Sequence, residues 1–385
     1  MSGADLAREG IAALQRGDAA AARGLFGQAI DLGGASAALW LLQAQACRAL
    51  GDAAAEEAAL DRVLAAEPRN IAALLMKGDR HVRADDLRAA ASFYRIALGA
   101  AANAGPLSSQ MLNALRQAEA ACVQAAAEFE HHMHARMAAA GFGPERRSKR
   151  VAEALDILAE KKQVYFQEPT SFFFPGLPQI QFYDRADFAW AEAVEAATGA
   201  IRDELRAILE QGGAFLPYIE SEPGRPQMLH KLLGDPNWSA FHILRAGEPV
   251  AGNAERCPRT LVALGHAPIP EIRGRSPMAL FSLLKPGTHI AAHNGMLNTR
   301  LICHLPLIVP PGCRFRVGNE MREWEEGKLL IFDDSIDHEA WNDGDATRVI
   351  LLFEIWRPEI GEAERGALTA MFEAITDYTG PPEEH

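Results

Sequence analysis

No apolar run in this chain approaches the roughly 18 residues a membrane-crossing helix needs, so nothing in it is expected to span a bilayer. Cysteine is scarce. Cys47, Cys122, Cys257, Cys303 and Cys313 are odd in number, far apart and without a Cys-x-x-Cys pair, which excludes a disulfide framework or a structural zinc site and fits reduced thiols. Positive charge is in deficit, with 38 Lys and Arg against 51 Asp and Glu. The resulting formal charge of -13 would repel a polyphosphate backbone, so nucleic acid is not an expected partner. The first residues, MSGADLAREG, carry acids where a secretory signal needs a cationic start, and a cytoplasmic location is the expectation. What the chain does have is material for packed cores: 385 residues, 49% of them hydrophobic, enough for two or three domains.

The first hundred residues repeat at an interval of 34, the tetratricopeptide period. Asp18, Asp52 and Asp86 fall in one column, Gly10, Ala44 and Gly78 in another, and Phe26, Leu60 and Tyr94 in a third. Small residues let two helices approach, the acid caps the second helix, and the large side chain fills the groove between units. Residues 1–100 are therefore expected to form an α-solenoid. Leu107 to Ala140 continues as helix and is expected to cap it, within a helical linker region spanning 101–174. His131 and His134 share a face of that helix, but no further ligand stands at a suitable spacing, and a solvated face is the better reading. From Tyr165 to Tyr183 aromatics and prolines crowd together, as where an extended strip meets a new core.

After an amphipathic helix expected over 187–211, the pattern changes to short β-type runs: 238–244, 278–284, 301–309, 313–317, 328–332 and 348–355. Turn signals such as Lys285-Pro286-Gly287 and Asn342-Asp343-Gly344 separate them. A sandwich or double-stranded β-helix follows, a fold whose mouth holds ligands. Four of the twelve histidines, His289, His293, His304 and His338, lie in this stretch. Barrel closure would bring an imidazole pair such as His293 and His338 together as iron(II) ligands, whereas each taken singly reads as an ordinary hydrogen-bonded core histidine. Arg348 opens a run that otherwise looks fully buried, and a buried cation calls for an anion such as a dicarboxylate.

The motifs Phe281-Ser282-Leu283-Leu284-Lys285-Pro286-Gly287-Thr288-His289, His293-Asn294-Gly295, Asn298-Thr299-Arg300-Leu301, His304-Leu305-Pro306-Leu307, Trp324-Glu325-Glu326-Gly327-Lys328, Phe332-Asp333-Asp334-Ser335 and His338-Glu339-Ala340-Trp341 occur in one order. In these, and in Arg348 before a buried strand, the chain resembles the aspartyl/asparaginyl β-hydroxylases over about residues 175–360. The resemblance implies a jelly-roll oxygenase domain there, with a C-terminal helix and tail over 361–385, in a multidomain chain of α and β parts. It implies Fe(II), 2-oxoglutarate as cosubstrate, and O2. By the same resemblance His293 and His338 would bind the metal, Arg348 and Ser282 the distal carboxylate of 2-oxoglutarate, and His304 and Arg300 would complete the cosubstrate site. Gly295 stands where related oxygenases place a carboxylate ligand, and Ile302 where family members carry a second Arg. Asp333 and Asp334 read either as a carboxylate ligand or as a turn that orients His338, the latter preferred.

The function implied is hydroxylation of an unactivated carbon, foremost the β-carbon of Asp or Asn in a peptide or protein that the helical repeats recruit. Two alternatives stand beside it. One is the same chemistry on a lipid or small molecule, against which the lack of a membrane segment was weighed. The other is a non-catalytic repeat scaffold, against which stands the intact set His293, His338 and Arg348.

Overall fold

The computed structural model describes residues 1–212, 215–219 and 231–380, so the last five residues of the expected C-terminal tail lie outside it. The chain divides into two compact units, Met1–Lys161 and Lys162–His385.

In the first unit Gly3–Gln15 packs on Ala19–Ala29, Ala37–Ala49 on Ala53–Ala66, and Ile71–Arg83 on Leu87–Ala101. Each second helix starts at the expected acid: Asp18, Asp52 and Asp86 accept from the backbone N–H of Ala21, Ala55 and Ala89. The first helices follow the same period, with Ser2, Ser36 and Asn70 as caps. A side chain at Gly10 or Gly78 would run into the ring of Phe26 or Tyr94, which shows why that column is small. The middle copy tolerates Ala44 because Leu60, in the same core cluster, replaces the ring. The long helix Ser109–Ala139 lays Leu115 and Ala118 against Leu74 and Tyr94 of the third hairpin. Among the described residues no group of three or more potential ligands surrounds His131 or His134, and His134 lies near Glu130 and Arg147.

The second unit is built on twelve described strands. They are β1 (Phe182–Tyr183), β2 (Leu216–Pro217), β3 (Trp238–Arg245), β4 (Glu248–Pro249), β5 (Ala279–Leu284) and β6 (Thr288–His293). The rest are β7 (Arg300–Ile308), β8 (Cys313–Val317), β9 (Glu320–Glu323), β10 (Leu330–Phe332), β11 (His338–Asn342) and β12 (Arg348–Trp356). A large antiparallel sheet runs β1-β10-β7-β12-β5-β3-β2 with β4 beside β3, and a smaller one runs β6-β11-β8-β9. The six expected strands are all present; β6, β9 and β11, and the two-residue β1, β2 and β4, had not been expected.

Strand alternation assigns the faces of the large sheet. Leu301, Cys303 and Leu305 of β7, with Val349, Leu351 and Phe353 of β12, join Ile201 and Leu205 in one core under the helices. The intervening residues, Ile302 on β7 and Ile350 and Leu352 on β12, face the small sheet with Phe315 and Val317 in a second core. Those helices correct an expectation: 187–211 is not continuous, because Ala191–Ala196 ends and Thr198–Glu210 begins around Ala197. The Thr198 hydroxyl donates to the Glu195 carbonyl at 2.6 Å, a local bond that competes with the helical ladder.

The expected boundary at 174/175 is also displaced, since residues 162–174 belong to the β unit. Thr170 donates its N–H to Gly295 and Phe172 to Met296. Gln167 donates to Asp333 at 2.7 Å. At the other end, the helix Glu362–Thr379 packs Leu368 and Phe372 on Ile272 and Trp356, with Phe172 edge-on to Phe372.

Candidate active site

A cavity of about 620 Å³ is lined from both sheets, by Ser282, His293, Arg300, His304, His338 and Arg348 among others. His293 ends β6 and His338 begins β11, and the two are direct partners in the antiparallel pairing. Facing residues on adjacent strands project to the same side, so strand pairing brings together imidazoles 45 positions apart, with ring centroids 4.1 Å from each other. Both rings are oriented alike. Nδ1 of His293 lies 2.8 Å from the Ala291 carbonyl, and Nδ1 of His338 lies 3.0 Å from that of Ile336. A carbonyl only accepts, so Nδ1 carries the proton and the lone pair is at Nε2, the arrangement that backbone carbonyls impose on metal-binding imidazoles. Burial, and then the neighbouring His293, hold His338 well below the usual histidine range, so it stays neutral.

His304 has the opposite tautomer. Trp324 Nε1–H donates to its Nδ1 at 3.3 Å, which leaves Nε2–H as a donor. Burial, with Arg348 as the next cause, pushes its pKa well down and keeps it uncharged. The indole also carries the Arg348 guanidinium at 4.8 Å from its ring centroid. Arg348 is 1% exposed, its Nε lacks any hydrogen-bond partner, and among the described residues no carboxylate pairs with it. Burial pushes its pKa down to about 10, which still leaves it a cation at neutral pH. Ser282 accepts from Trp238 Nε1 at 3.3 Å and keeps its own O–H to donate.

Arg300 reaches the cavity as expected; its guanidinium is 2.5 Å from Glu354 and 3.6 Å from Asp334, while its Nε has no hydrogen-bond partner among the described residues. Burial works against that charge, yet the two acids raise its pKa above the ordinary value. His289 lies outside the site, stacked on Trp341 and 3.0 Å from Glu339. Of the adjacent acids, Asp333 is structural: it accepts from Ser335, Gln167 and the buried Arg357. Asp334 differs, since it lines the cavity, leaves Oδ1 without a partner and is pushed by burial up to about 7.

Gly295 explains where the third ligand went. A Cβ there would overlap the Asp334 carboxylate, so the segment after β6 has no room for a metal-binding side chain two positions after His293. Among the described residues no third His, Cys, Asp or Glu completes a metal cluster. Gly295→Ala should destabilise the protein by about 1 to 3 kcal/mol through overpacking. Asp334→Ala should recover most of that loss in the double variant, and a double-mutant cycle of denaturation midpoints checks the coupling.

Sequence reasoning gave no role to Trp324 or Trp238, and for Asp334 it preferred a turn that orients His338 over a place on the cavity wall. Trp324 offered the clearest signal, an indole opening the Trp-Glu-Glu-Gly turn amid strands, where a buried N–H must find an acceptor.

Residues 195–358 match the family described as Aspartyl/Asparaginyl beta-hydroxylase. Human aspartyl/asparaginyl beta-hydroxylase is 38% identical over 44% of this chain and 21% of its own length. Ornithine lipid ester-linked acyl 2-hydroxylase of Rhizobium tropici is 37% identical over 46% of this chain and 60% of its own. Aspartate beta-hydroxylase domain-containing protein 2 of Xenopus tropicalis is 35% identical over 54% and 55%. The C-terminal half of the chain thus carries a domain of the aspartyl/asparaginyl β-hydroxylase family. The chain spans between about a fifth and three fifths of the length of these relatives. Among solved structures it has distant similarity to the Sgt2 TPR domain from Aspergillus fumigatus, at 23% identity over 30% of this chain and 76% of that one, with a TM-score of 0.27.

Proposed function

We propose that the second unit is an Fe(II)- and 2-oxoglutarate-dependent hydroxylase of an unactivated carbon. The observation that carries this reading is Arg348, a buried guanidinium without an acid partner among the described residues, in the same cavity as the paired imidazoles of His293 and His338. A charge kept in that state costs stability, and a dicarboxylate cosubstrate is the anion that would match it. His293 and His338 would hold the metal through Nε2, while Ser282 O–H and His304 Nε2–H supply neutral donors for carboxylate oxygens. Fe(II), when bound, would supply the binding and reduction of O2 that an inert C–H bond requires. Overall, R–H, 2-oxoglutarate and O2 would become R–OH, succinate and CO2. One oxygen atom enters the alcohol and the other the succinate.

Names of relatives do not choose the substrate, since the peptide-type and lipid-type relatives stand at 38% and 37% identity. For the same reason, the lack of a membrane segment does not weigh against lipids. The test of the chemistry is consumption of 2-oxoglutarate with formation of succinate by the full-length protein, dependent on Fe(II) and O2. Absence of succinate with metal and cosubstrate both bound would defeat the proposal.

A further inference from the structure

Trp324 contacts two of the groups to which the reading above, on which this inference rests, gives carboxylate oxygens. Its indole N–H donates to Nδ1 of His304, and its ring carries the guanidinium of Arg348. The two groups stand apart in the sheet. His304 of β7 is the direct partner of Leu352 on β12, and Arg348 lies four positions before Leu352, roughly 13 Å along the strand. The strand pairing therefore does not tie one to the other; the indole does. It reaches them from the turn between β9 and β10, which is anchored at the far end of β7. Glu326 accepts from the Val309 N–H at 3.0 Å, and Gly327 donates its N–H to the Pro306 carbonyl at 2.9 Å. The ring is buried and stacks on that of Phe315, with centroids 5.4 Å apart.

Each contact fixes what the receiving group cannot fix for itself. A neutral imidazole has two tautomers, and an N–H donated to Nδ1 leaves the proton on Nε2, where it can be given to an anion. Without that donor the other tautomer and other ring orientations open, and a lone pair turned toward a carboxylate repels it. Arg348 has no acid among the described residues to hold it, and its Nε has no hydrogen-bond partner. An aromatic face attracts a cation through its quadrupole, so it can orient the guanidinium without neutralising it. An acid in the same place would hold the fork equally well but would occupy the receptor.

We propose that Trp324 is a positioning residue of the cosubstrate site, which presets His304 as a hydrogen-bond donor and Arg348 as an unmatched cation before a dicarboxylate arrives.

The test uses the full-length protein with Mn(II) and without oxygen, and measures the affinities of 2-oxoglutarate and glutarate. Trp324→Phe keeps an aromatic face for Arg348 and removes the N–H, and should weaken both ligands about threefold to tenfold. Trp324→Leu removes both contacts and should weaken them at least about thirtyfold. Mn(II) alone should bind both variants within about twofold of the parent, which a general disruption of the cavity would not allow. In a His304→Ala background, Trp324→Phe should change dicarboxylate affinity by less than about twofold, because its route of action is gone. A further readout needs no ligand: in the metal-free protein the imidazole nitrogen shifts should place the His304 proton on Nε2 in the parent, and on both nitrogens in Trp324→Phe. Parental dicarboxylate affinity in Trp324→Phe, an equal loss in the two backgrounds, Trp324→Leu no weaker than Trp324→Phe, or an unchanged His304 tautomer would overturn the proposal, as would a parent that binds neither dicarboxylate. Trp324-dependent binding of both ligands without any formation of succinate once Fe(II) and O2 are supplied would remove the catalytic reading alone.

Discussion

Alanine at His293 or His338 is expected to abolish metal binding and, with it, metal-dependent consumption of 2-oxoglutarate. Among the described residues no third ligand completes the pair, and His304, the other imidazole on the cavity wall, is held as an Nε2–H donor by Trp324, so neither loss can be made good by a neighbour. Each imidazole is also held in place by its own carbonyl contact, so the pair is organised before metal arrives. Titration of Mn(II) into the two variants, followed by the signal of free aqueous ion, should show no saturable site. In the parent, protonation of His338 should not compete with the metal between about pH 7.5 and 6. The sign follows from His338: protons compete with metal only below the pKa of the ligand, and burial has moved that point well down. Saturable binding by His293→Ala at the parental affinity would mean that the ligands lie elsewhere.

Much of this architecture was legible, and the parts that were not share a cause. The long strands β5, β7 and β12 announced themselves because a sheet buried on both faces reads as a continuous apolar run. β6 and β11 did not. On β11 the buried positions are His338, Ala340 and Asn342, and on β6 His293 stands among small residues, so the strands that build the site carry polar or small side chains where a pattern search wants large apolar ones. The imidazole pair could therefore be proposed from the sequence, but its direct opposition across two adjacent strands could not.

The acid partner of Arg300 was hidden for a related reason. Ile302 lies opposite Glu354 and Arg300 opposite Trp356, so the Arg300–Glu354 ion pair is a diagonal contact that only the β7/β12 register reveals. In the sequence Glu354 was one residue within an apolar run, without a partner to suggest its role. The helical repeats, by contrast, depend on local caps and on contacts 16 residues apart, and their 34-residue interval carried over without change.

Arg348→Met should make the cofactor-free protein more stable and 2-oxoglutarate binding far weaker. The side chains are similar in length, but the thioether needs no counter-charge. A fall in pKa from an ordinary 12.5 to about 10 corresponds to a native-state cost on the order of 3 kcal/mol for keeping the guanidinium charged. Because the folded value lies below the unfolded one, that cost is fully present below about pH 10 and disappears only as pH rises toward 12.5. Removing the charge should therefore raise stability at pH 7 by about 1 to 3 kcal/mol, part of the gain being lost with the Trp324 ring contact. In the parent, 2-oxoglutarate with Mn(II) should stabilise the fold, since a ligand that binds only the native state adds to its free energy. In Arg348→Met that increment should shrink, because losing one partner of a desolvated charge pair costs roughly 2 to 5 kcal/mol of binding, about 30-fold to several thousand-fold in affinity. Metal affinity alone should change little, as the imidazole contacts do not involve Arg348. Denaturation of both proteins with and without 2-oxoglutarate decides the matter: a variant that is destabilised, or that the cosubstrate still protects as well as the parent, would show Arg348 to be part of the scaffold and not the receptor of an anion.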